Sequence, residues 1–142
     1  LDGEGKAKSR WVFHGPFHEF SIMPWTNDVK HALLFLSGDE FRIHNARGEL
    51  LATYTVPSGS SYSTPIGALL QRNGKETQVI FVADTKGSAH KHLVSVFALT
   101  GELLYQHASD DNAMSILALT NTLVTSFLVG SRNTVWRYTE NK

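Results

Sequence analysis

Val94-Ser95-Val96-Phe97-Ala98-Leu99-Thr100-Gly101-Glu102-Leu103-Leu104 is the stretch on which the fold turns. It reads as a strand, a tight turn and a second strand, with a glycine where a hairpin needs positive φ, a conformation that a Cβ penalises. The same arrangement stands 53 residues earlier, where Phe41-Arg42-Ile43-His44-Asn45-Ala46-Arg47 runs into Gly48-Glu49-Leu50-Leu51. Two glycine-centred hairpins at a fixed offset are the mark of a repeat architecture. A degraded further copy is expected at Leu1-Asp2-Gly3-Glu4-Gly5-Lys6, followed by a strand through Trp11. Near the other end, Thr134-Val135-Trp136-Arg137-Tyr138 matches the strand that precedes the turn.

Working outward, short runs of β-branched, aromatic and Leu residues alternate with Gly, Asn, Asp, Ser and Pro. They predict strands at Arg10–Phe13, His18–Ile22, Ala32–Leu36, Glu40–His44, Leu50–Val56 and Ile66–Leu70. The series continues with Gln78–Ala83, Leu93–Ala98, Leu103–His107, Ser115–Leu119, Leu123–Leu128 and Asn133–Thr139. Val79-Ile80-Phe81-Val82 is a continuous apolar run, which suggests burial on both faces. Phe41-Arg42-Ile43-His44 alternates and suggests a half-exposed strand. No long stretch carries a capped helical period. The expected class is all-β.

Upstream of each hairpin lies another strand or pair of strands, so the repeating unit is four antiparallel strands in roughly 40–50 residues, the size of a β-propeller blade. Val96-Phe97-Ala98-Leu99-Thr100-Gly101-Glu102-Leu103-Leu104 resembles the outer hairpin of quinoprotein-type (PQQ-like) repeats. Those repeats follow apolar-x-Ala-Leu-Asp-x-x-Thr-Gly-x-x-x-Trp; here the Asp is absent and Tyr105 stands near the place of the closing Trp. The Trp-Asp dipeptide of WD40 blades is missing as well. The resemblance implies a β-propeller segment of about three four-stranded antiparallel blades, against about four to eight in a closed propeller. Residues 1–142 are therefore expected to form a single all-β unit. It would be part of a larger propeller, or a half-ring that self-associates as a homodimer. Leu123-Val124-Thr125-Ser126-Phe127 and Val135-Trp136-Arg137-Tyr138 also resemble the closing strands of a lipid-binding barrel, which has no comparable internal repeat.

Composition narrows the function classes. Of 142 residues, 42% are hydrophobic, enough to bury a core. Thirteen Lys and Arg balance thirteen Asp and Glu, so the basic excess of a general nucleic-acid binder is lacking. The absence of cysteine excludes disulfide scaffolds, thiolate catalysis and Cys-rich zinc sites. No apolar run approaches the roughly 20 residues of a membrane-spanning helix, so no membrane partner is expected. The first residues, Leu1 to Lys6, are polar and lack an initiator Met, as in a processed product or one part of a longer protein. No compartment is indicated.

The candidate chemistry is thin. His14 and His18 have zinc-like spacing, but Gly15 and Pro16 between them oppose the helix that would bring both rings to one face. His90 and His92 flank Lys91 and read as exposed hairpin-loop residues. Ser58-Gly59-Ser60-Ser61-Tyr62-Ser63 has no nucleophile elbow and reads as a loop between blades. Asp110-Asp111-Asn112 lacks the rest of a calcium loop, and Gly74-Lys75 lacks a phosphate-cradling glycine run. Trp11 and Trp136 are expected in the packing between blades.

Hence no catalytic residue, metal or cofactor is expected. The reading is a non-enzymatic scaffold for protein–protein interaction, whose partner is another protein chain or the remainder of a parent propeller. Trp25, in the turn-rich loop Met23–Asp28, is a candidate anchor for a partner surface, with Arg132 and Arg137 as rim contacts. Two rivals stand beside it. One is a propeller enzyme or cofactor-binding segment, because quinoprotein-like enzymes hold a cofactor at the central axis. The other is a small-ligand-binding β-barrel.

Overall fold

The repeat is visible in the backbone of the computed structural model, which describes Glu4 and residues 20–26, 29–56, 61–72, 75–86, 92–109, 113–120 and 125–139. Gly48 and Gly101 both adopt positive φ, 81° and 102°. In the first turn the Asn45 amide donates to Glu49 O (3.0 Å) and the Gly48 amide to Asn45 O (3.0 Å). In the second, Ala98 donates to Glu102 O (2.8 Å) and Gly101 to Ala98 O (3.0 Å). Each hairpin also carries a register shift at the same place, between Ile43 and His44 in one and between Val96 and Phe97 in the other. Every one of these features recurs at the 53-residue offset read from the sequence.

Eleven strands make up the described chain: β1 (Phe20–Pro24), β2 (His31–Ser37), β3 (Glu40–His44), β4 (Leu50–Thr55), β5 (Ser61–Arg72) and β6 (Lys75–Lys86). They continue with β7 (His92–Ala98), β8 (Leu103–Ser109), β9 (Ala113–Thr120), β10 (Thr125–Ser131) and β11 (Val135–Thr139). The protein is all-β. The strands fall into three separate antiparallel sheets rather than one continuous barrel: sheet A is β1-β2-β3-β4, sheet B is β5-β6-β7-β8, and sheet C is β9-β10-β11. Each is a meander in which sequence neighbours pair, the arrangement that short connections produce. The predicted strand at Arg10–Phe13 and the turn copy at Leu1–Lys6, apart from Glu4, lie outside the described residues.

Two expectations are corrected here. Ser61–Ser63 belong to β5 rather than to a loop, because β5 and β6 form a hairpin of two 12-residue strands. Their outer pairs, from Ser61↔Lys86 to Ser63↔Asp84, are polar. Backbone pairing needs no apolar side chains and here resumes beyond a register shift between Ser63 and Ile66, so hydrophobic patterning underestimates the strand length. His92 is not a loop residue either; it opens β7 and is fully buried.

The sheets stack through two cores. Met23, Leu34, Phe41, Ile43 and Tyr54 of sheet A pack with Leu69, Val79, Phe81 and Phe97 of sheet B. Phe41 stacks on Phe81 at 4.4 Å between ring centroids, and Tyr54 lies 5.2 Å from Phe81 and 5.4 Å from Phe97. The other face of sheet B sends Leu70, Ile80, Val82, Val94 and Val96 against Phe127 and Val129 of sheet C. Sheet B is thus covered on both faces, which is why β6 and β7 read as continuous apolar runs. The first strands also touch in order, β1 against β5 and β5 against β9. Gly67 in β5 permits the first of these contacts: a Cβ there would stand 2.6 Å from Met23 Sδ and 3.0 Å from Leu34 Cδ2.

Candidate interaction surfaces

Among the described residues, sheet B packs against a sheet on both faces, and sheets A and C each on one. Alternation along the paired strands decides which residues point outward. On sheet A the register Phe20↔Phe35, Ile22↔Leu33 and Leu33↔His44 puts these side chains on the face away from sheet B. Phe20 and Ile22 are 64% and 65% exposed, while Phe35 and His44 are buried. Phe35 lies 5.8 Å from the Phe20 ring and edge-on to His44 at 5.5 Å. His44 Nδ1 is 3.0 Å from Gly48 O, which ties the face to the turn of the first repeat. Further out, the Arg42 guanidinium donates to Glu40 Oε2 at 2.9 Å and 2.6 Å.

On sheet C the pairs Leu128↔Leu117, Leu128↔Arg137 and Gly130↔Val135 define the outward face. Leu117 is 56% and Val135 66% exposed. The opposite face carries Phe127 stacked on Tyr138 at 4.7 Å, with His107 of sheet B edge-on to Tyr138 at 5.9 Å. Burial, and secondarily the charge of Tyr105, raise the Tyr138 pKa above its ordinary value.

The residues singled out from the sequence are dispersed. Trp25 follows β1, half-buried against the A–B core, with its amide donating to Lys30 O at 3.2 Å. It lines a recess of about 330 Å³ formed with Pro24, Gly67, Ala68, Leu69 and the β9 residues Ile116 to Ala118. That recess lies where the first strands of the three sheets meet, and its walls contain no titratable side chain, so it offers contact area without acid–base chemistry. Arg137 is exposed on the outward face of sheet C, and Arg132 is exposed in the β10–β11 turn. Trp136 shares the inner face with its partner Val129 yet is 41% exposed. Trp11, His14, His18, His90 and Asp110–Asn112 lie outside the described residues. Among the described residues no group of three or more His, Asp or Glu is placed to hold a metal ion. Phe20, Ile22, Leu117 and Val135 escaped the sequence reading because a strand pattern shows which residues share a face, not whether another sheet covers it.

The chain matches no family model, no curated protein and no solved structure.

Proposed function

We propose that this chain is a segment of a β-propeller-type scaffold, its three sheets acting as modules set side by side about an axis near β1, β5 and β9. In this reading it joins other protein surfaces and performs no chemistry of its own. One observation carries it: sheet B is buried on both faces, while sheets A and C each present apolar side chains outward. A module whose neighbours are modules should have two covered faces, so exposed apolar side chains on the outer faces of both end sheets, Phe20 and Ile22 on one and Leu117 and Val135 on the other, are what a segment would show. The equivalent turns and bulges of the two complete hairpins support quasi-equivalent modules.

The test uses the absence of native cysteine. Ile22→Cys and Leu117→Cys, with Ala46→Cys in the exposed β3–β4 turn as reference, are placed one at a time in the protein in the cells that make it. The two face cysteines are expected to react with a maleimide at least tenfold more slowly than the reference. Equal reactivity at all three positions would overturn the scaffold reading.

A further inference from the structure

We draw no further inference here: the strongest candidate, the row of aromatic side chains Tyr105, His107, Trp136 and Tyr138 along the outer strands β8 and β11 of the junction between sheets B and C, carries nothing, because nothing in the structure shows what covers it.

Discussion

The hydroxyl of Tyr54 donates to the carbonyl oxygen of Leu99 across 3.2 Å, joining the outer strand of sheet A to the turn that closes the second repeat in sheet B. One copy of the repeated hairpin is therefore fastened to the other by a side chain buried in the aromatic cluster between them. Tyr54→Phe keeps the ring and loses the bond. It is expected to cost about 0.5–1.5 kcal/mol, read from urea unfolding at constant m value.

Alkaline pH should act at the same place. Burial pushes the Tyr54 pKa up to about 12, so between pH 10 and 12 the folded chain holds a proton that the unfolded chain releases. The contribution is full below pH 10 and is lost as pH rises through the folded value. The Tyr138 shift has the same direction. Stability measured against pH should fall across this window, and the fall should be shallower in Tyr54→Phe.

Gly48→Ala and Gly101→Ala place a Cβ on backbones at φ 81° and 102°. Each is expected to cost about 1–2 kcal/mol, with little difference between them, because the two turns share one hydrogen-bond pattern. Thermal unfolding of the two variants side by side checks this; a neutral effect at either would break the equivalence.

Gly67→Ala addresses close packing rather than backbone angle. The added methyl meets Met23 and Leu34, both fully buried, so neither side chain can swing into solvent. Overpacking of about 1–3 kcal/mol is expected, with Met23→Ala/Gly67→Ala less destabilised than the sum of its parts.

The two junctions should also fail separately. Phe81→Ala removes the ring shared by Phe41, Tyr54 and Phe97 and should cost about 3–5 kcal/mol. Phe127→Ala loosens only the B–C side. Hydrogen exchange should then quicken in β9–β11 while β2 and β3 keep their protection, as stacked modules that contact only their neighbours allow.

How much of this was legible in the sequence follows from the range of each interaction. The glycine turns, the all-β class and the four-strand period come from residues within a hairpin of one another, so Gly48 and Gly101 announced them by spacing alone. The length of β5 and β6 was hidden because a neighbouring strand sustains their polar ends. His92 looked like a loop residue because His90 and Lys91 before it are polar, whereas it is fully buried at the start of β7, between Asp84 of β6 and Ser109 of β8.

By itself the sequence determined the strands, their glycine-centred hairpins and the offset between them, since each depends on local backbone preference and two-residue periodicity. Only the tertiary structure decided which apolar faces are covered, placing Phe81 and Phe127 inside junctions and leaving Ile22, Leu117 and Val135 in the open. Alternation marks a face as apolar, but burial is settled by whether another sheet lies across it.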